Sequence, residues 1–562
     1  MRVLVYVSFF VCFLLASLFF LLDFYPNWAF LLYLIAASCF YFLFIPFERI
    51  KKTVNRYQLD LVISGLLIAL SLFLYLYRVT EITPGMWGDE ISLGWMVEEL
   101  SHRISFTPYI SHNLGHPTPL IYLTSLFIAL MGRSMLSLRV VSILFGAFGV
   151  GLFYLFLRYF FKRPLALSGA FLLATSYVLV IVSRFAYEMS AGLFFLILSS
   201  FLLFILSKKV NYKSVVFFGL SIGAGLYTYL AFRTISLVLL TASLILIWRQ
   251  KINKFRYFQA LVMSVLVVLL PLITYSFRHP GEINQRVQSL SVFSQNLPKE
   301  EVIKELQGAA YRSLTLFLFT GDPNPRQNPA GTIPFDYLTV GLFFVGLGLL
   351  IVKRRWLGIG TIFICLTILG TEIVTLERIP EFHYYGLGHP NTLRISPLVP
   401  IVIFVGVWGL NYLLKKIPDR LTQNIGLSFV LLIIVATNLS RYYNQKQNPW
   451  IYTTNFVPTL KIINILNENK PADSIAVSTS IYSSQHVKYF LHPSIELVEL
   501  DAFSNCKFDE IPEKVIILLS IDISDCGTEQ LQALIQNQAY SATTMTSPWN
   551  TLDALVIFPK EE

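Results

Sequence analysis

Apolar runs of roughly 17–22 residues recur from the N-terminus to about residue 440, and this repetition constrains the fold more than any other feature. A helix of that length crosses a ~30 Å hydrocarbon core. The pattern holds along most of the chain, which is 55% hydrophobic and only 14% charged, against about 25% charged residues in a soluble domain. The chain therefore reads as an all-α polytopic membrane protein. The first run, 3–22, is too long for a signal-peptide core and no small-x-small cleavage site follows it, so it reads as a retained helix.

The formal charge is +10, but it does not point to nucleic acid. The Lys and Arg residues fall in short clusters at 49–52, 158–163, 208–213, 249–256, 353–355 and 415–420, all between apolar runs. Placing all six in the cytoplasm follows the positive-inside bias. Helices then fall near 3–22, 29–47, 59–77, 138–157, 165–182, 188–206, 213–230, 234–248, 257–276, 335–352, 357–376, 397–414 and 422–440. That is about thirteen, with the N-terminus cytoplasmic and the C-terminus outside. The run 117–131 is left over. Counting it as a span would put five basic clusters outside, and its length suits a dipping helix better.

This parity sets three long loops on the outer face: 78–139, 277–334 and 377–396. Loops of this length in a compact helical body tend to be functional. After about Tyr443 the composition changes. Ser474–Thr479 and Lys514–Ser520 have the look of short buried strands, and helices are expected near Phe456–Leu466 and Glu529–Gln536. This gives a small extracytoplasmic α/β domain over 444–562, with no readable motif. Cys506 and Cys526 lie within it and would be free to pair in an oxidising compartment.

Within the first outer loop, Trp87-Gly88-Asp89-Glu90 sets two adjacent acids at the start of a polar segment, in a chain where carboxylates are scarce. Such an acid can take a proton from an attacking hydroxyl. It can also simply favour a helix N-terminus. Arg139, Arg184, Arg233 and Arg394 sit at outer helix ends, where guanidinium either meets lipid headgroups or recognises a phosphate. Tyr227-Thr228-Tyr229 lies one turn before Arg233, and Tyr229 there either belongs to the interfacial aromatic belt or stacks on a sugar or prenyl group. Gly-His-Pro occurs twice, at His116 and His389. A two-histidine metal site with Asp89 or Glu90 finds no support in the spacing.

Taken together, these elements resemble the GT-C superfamily of membrane glycosyltransferases, and within it the family 39-like proteins related to protein O-mannosyltransferases and aminoarabinose lipid A transferases. The resemblance rests on the Asp-Glu pair and on His116-Pro117-Thr118-Pro119-Leu120. It continues through Arg139, Ser183-Arg184, Tyr227-Thr228-Tyr229 with Arg233, Gly321-Asp322-Pro323-Asn324-Pro325-Arg326, and Asn391 with Arg394, over roughly residues 59–440. It departs in three places: a threonine inserted in the His-Pro-Pro-Leu element, a two-helix extension over 1–58, and a lost basic residue after Arg184.

The resemblance implies a catalytic region over 59–443. An inverting transferase of this kind would move a sugar from a polyprenyl-monophosphate carrier to a hydroxyl outside the membrane. It makes Asp89 the base and gives Glu90 and His116 a shaping role. Arg184, Arg233 and Arg394 become candidates for the lipid phosphate, with Arg139, Tyr229, Asp322 and Arg326 as further substrate contacts. No cofactor is required, a divalent cation stays open, and the acceptor is a protein, lipid or glycan. A flippase of polyprenyl-linked sugars is the rival reading, because it shares the cavity and the arginines without needing a base. A non-catalytic receptor or assembly subunit, acting through its C-terminal domain, is another.

Overall fold

The computed structural model describes residues 8, 11–19, 26–44, 47–103, 105–324, 327–376, 389–469, 475–500, 516–519, 540–548 and 552–559. Half of the first expected span, most of the loop 377–396, Arg326, both Cys506 and Cys526, and the helix expected near 529–536 lie outside the described residues; the described part of that span, 11–19, is helical.

Helices dominate, as the apolar runs require. Seven among the described residues are long and apolar enough to cross a membrane: Tyr57–Leu76, Met135–Leu157, Met189–Lys208, Ala231–Trp248, Lys254–Arg278, Trp356–Ile373 and Arg420–Tyr443. The chain is a multi-pass membrane protein. Pro119–Met131, Tyr337–Lys353 and Leu398–Leu414 are shorter apolar helices, so length and composition alone do not bring the count to thirteen.

One expected span is broken. Arg163–Ala174 and Tyr177–Arg184 meet at a bend of 54°. Thr175 leaves helical geometry, and the Ser176 hydroxyl accepts the amide of Leu179 at 3.4 Å, capping a new helix. Pro119–Met131 has 13 residues, about 20 Å at 1.5 Å per residue, which is too short to cross. Proline at its first position starts it, and Gly132 at φ +76° ends it.

The C-terminal domain carries a five-stranded sheet in the spatial order Leu497–Leu500, Ile475–Ser478, Ile516–Leu519, Leu552–Pro559, Tyr540–Thr546. The first three strands run parallel and the last two close the sheet antiparallel. Ile475–Ser478 is buried throughout, as its unbroken apolar reading requires. Helix Val457–Asn469 sits where the sequence places one.

This domain is not a separate ball on a tether. Its Ile463, Val477, Val487 and Tyr489 share one apolar core with Ile91, Met96 and Val97 of helix Gly88–Ser101. The helix that begins with the two acids is therefore sandwiched between the membrane bundle and the C-terminal sheet.

Candidate active site

Asp89 and Glu90 occupy the first turn of helix Gly88–Ser101, where the amide dipoles favour negative charge. Successive residues on a helix diverge by about 100°, so the two acids face different neighbours. Glu90 turns inward and is buried. Its carboxylate accepts Arg139 Nε at 2.8 Å and Nη2 at 2.9 Å, as well as the amide of Ala186 at 2.9 Å. Arg139, equally buried, gives its remaining donors to the carbonyls of Val79 and Gly85, both at 2.7 Å. This corrects the expectation for both residues: Glu90 and Arg139 saturate each other and hold the loop 79–90.

Asp89 is only half-buried, and its charge acts on Tyr187 and Arg286. These two belong to a polar cluster assembled from three separate segments. His116 is fixed by a two-residue ladder in which Tyr109 and Ile110 pair with Pro117 and His116. Gly115, at φ +89°, leaves the space that the Tyr109 ring fills, and any Cβ there would collide with it. Tyr187 and Glu188 form the turn between Tyr177–Arg184 and Met189–Lys208. Arg286 comes from the short helix Gln285–Leu290 in the second long loop.

The hydrogen bonds define the protonation pattern. Arg286 Nη1 lies 3.1 Å from His116 Nε2. A guanidinium can only donate, so Nε2 accepts and the imidazole proton sits on Nδ1. Nδ1 then donates to Glu188 Oε1 at 2.6 Å. Arg286 Nη2 also donates to the Tyr187 hydroxyl at 2.5 Å, and its guanidinium lies 5.7 Å from the centre of that ring. Burial alone would raise the Glu188 carboxyl, but His116, Arg286 and Arg233 outweigh it and hold it below the usual range. Burial likewise opposes the charge on Arg286, yet Tyr187, Glu188 and Asp89 keep it firmly cationic. The Tyr187 hydroxyl is pushed up chiefly by burial and stays a donor.

Beside this cluster opens a small, partly open pocket lined by Tyr109, His116, Glu188, Tyr229, Arg233 and Arg286. Arg233 stands in the first turn of Ala231–Trp248, because the preceding helix stops at Gly225, earlier than the apolar run implies. Among the described residues, no group of three or more His, Cys, Asp or Glu converges as metal ligands do.

The other expected residues lie elsewhere. Arg184 donates to the carbonyls of Leu74, Tyr77, Arg78 and Ile82 at 2.8–3.3 Å, closing the C-terminal end of the first long span. Its expected phosphate role is replaced by this cap. Asp322 accepts from Gln327 and from the amide of Thr392, both at 2.7 Å. Arg394 pairs with Glu372 at 3.2 Å. Asp322 thus ties the second long loop to the third, Arg394 ties the third to the helix Arg355–Ile373, and neither lines the pocket. His116, Tyr229 and Arg233 are brought together as expected. Arg286, Glu188, Tyr187 and Tyr109 are the members that sequence reasoning missed.

Residues 115–275, which hold His116, Tyr187, Glu188, Tyr229 and Arg233, match the family described as dolichyl-phosphate-mannose-protein mannosyltransferase. ArnT from Cupriavidus metallidurans bound to undecaprenyl phosphate superposes with a TM-score of 0.51 at 13% identity, over 88% of this chain and 97% of that one. Its apo form gives 0.50 at 12%, with the same coverage. The Archaeoglobus fulgidus oligosaccharyltransferase follows at 0.41 and 11%, over 88% of this chain and 74% of that one. No curated protein sequence matches. The chain has the fold of the GT-C superfamily of membrane glycosyltransferases, with a small C-terminal α/β domain. Within that superfamily it resembles the protein O-mannosyltransferases and ArnT.

Proposed function

We propose that the protein is an inverting glycosyltransferase that moves a sugar from a polyprenyl-monophosphate carrier to an acceptor hydroxyl at the outer membrane face. One observation carries this reading. A half-buried carboxylate at a helix N-terminus, Asp89, shares its surroundings with the Arg286 guanidinium, which lines a pocket with a second arginine, Arg233. The match of residues 115–275 to a family that uses a lipid-phosphate sugar and the fold shared with ArnT support the same chemistry.

The roles follow from charge. Asp89 takes the proton of the acceptor hydroxyl as its oxygen bonds to the anomeric carbon. On the far side, the bond from that carbon to the phosphate oxygen breaks. The departing lipid phosphate keeps the electron pair, and Arg286 and Arg233 neutralise it. His116 and Glu188 hold Arg286 in place. Tyr229 offers an aromatic face to the sugar or to the first prenyl units, while the buried Tyr109 packs behind the pocket wall. The long loops and the C-terminal domain lie outside and the basic loops inside, following the charge bias.

Replacing Asp89 by Asn and measuring transfer from a sugar-labelled polyprenyl phosphate in membranes tests the assignment. The expected result is a loss of transfer of 10²-fold or more, roughly the contribution of a positioned base. Full activity overturns it.

A further inference from the structure

The C-terminal domain meets the catalytic region at residues 84–86, shortly before the acid pair. The Met86 amide donates to the carbonyl of Asn455 at 2.9 Å. The Asn455 side-chain amide donates in turn to the carbonyl of Pro84 at 3.0 Å. Between them stands Gly85 at φ +74°, where any Cβ would run into the Asn455 carbonyl. Asn455 is fully buried. The residue after it, Phe456, adopts φ +54°, a left-handed conformation that a bulky side chain takes only when its surroundings impose it. His486 adds a contact to the carbonyl of Met86 at 3.0 Å, and the ring of Tyr489 closes over Gly94.

From the opposite side, Arg139 bonds the carbonyl of Gly85. Residues 84–86 are therefore gripped from two directions, by the membrane bundle and by the C-terminal domain. Asp89 follows three residues later, in the first turn of a helix whose start is set by this grip. The Glu90–Arg139 pair fixes that turn against the bundle, and Asn455 fixes how the chain enters it.

We infer that Asn455 is a positioning residue for the transfer reaction, through which the C-terminal domain sets where Asp89 stands relative to the Arg286 pocket. The inference rests on the reading of Asp89 as the base. Because Asn455 does not line the pocket, its loss acts on turnover and spares donor binding. A base displaced by about an ångström loses one to two orders of magnitude in rate.

The test uses the full-length protein in detergent. Asn455→Ala removes the side-chain bond and keeps the backbone one, while Gly85→Ala breaks the contact from the other side. The expected result for both has two parts: faster amide hydrogen exchange in the peptide spanning 84–92, and turnover about tenfold lower per donor-binding site. KM for a mannosyl polyprenyl phosphate stays within twofold. Unchanged exchange and turnover in both variants overturn the inference. So does a loss of donor-binding protein at unchanged turnover per site, because that is a purely structural effect. Asp89→Asn is run in parallel. If it transfers at full rate the base assignment fails, while hydrogen exchange still reads the grip of Asn455 by itself.

Discussion

Glu90 and Arg139 form a bidentate ion pair at 2.8 and 2.9 Å, and each side chain is 1% exposed. Adjacent acids in the sequence thus hold different positions in the structure, Glu90 sealed inside and Asp89 only half-buried. Removing one partner of such a pair strands a buried charge, at a cost of about 3–5 kcal/mol. Glu90→Gln and Arg139→Met are each expected to lower stability by that order, read as thermal unfolding in detergent. Asp89→Asn is expected to show the reverse division, with transfer lost and stability changed by less than about 1 kcal/mol. Equal destabilisation by Asp89→Asn and Glu90→Gln would contradict this division.

Arg286 makes the second prediction. It donates to His116 and to the Tyr187 hydroxyl, so its planar fork is already aligned before a phosphate arrives. Lysine would keep the charge but lose the fork and the stacking on Tyr187. Arg286→Lys is expected to raise KM for the lipid-phosphate donor about tenfold, and Arg286→Ala more, with far-ultraviolet circular dichroism unchanged. Arg184→Lys provides the contrast. Its cost falls on folding, because one ammonium cannot serve the four backbone carbonyls that the guanidinium reaches. An unchanged donor KM in both Arg286 variants would exclude it as the phosphate partner.

Much of this architecture is legible in the chain. Long apolar runs mark the helices, and His116 of the first long loop does meet Arg286 of the second. The Asp-Glu pair and His116 stand out because polar residues are rare around them. Arg286 does not stand out. It is one of several basic residues in a loop of nearly sixty, and only the fold shows that it reaches His116, 170 positions away in sequence. Arg184 misleads for the opposite reason. An arginine at a helix end reads as a ligand contact, whereas here it answers the backbone carbonyls at the end of a different helix. The break at Ser176 is equally hidden, because one serine inside an apolar run does not interrupt the hydrophobic pattern. The grip of Asn455 on Gly85 depends on a pairing across 370 positions, which no local signal carries.

His486 gives a pH test of that contact between the C-terminal domain and the acid-bearing loop. It is buried, stacks on Phe456 at 4.5 Å between ring centres and sits 3.0 Å from the carbonyl of Met86. Burial lowers its imidazole to about 4, with the Met86 carbonyl only partly opposing. The folded state therefore favours the neutral ring, whereas the unfolded chain takes up a proton near pH 6.5. It follows that the stability contributed at this site is complete above pH 6.5 and is lost as the pH falls from there towards 4. Over that window the loss amounts to about 3 kcal/mol. The melting temperature of the full-length protein is expected to drop between pH 7 and pH 4.5, and hydrogen exchange in the peptide spanning 84–92 to speed up with it. His486→Gln keeps a donor for Met86 without the titration, so it is expected to flatten this part of the profile. Parallel profiles for the native protein and His486→Gln would show that the histidine is not held neutral at this contact.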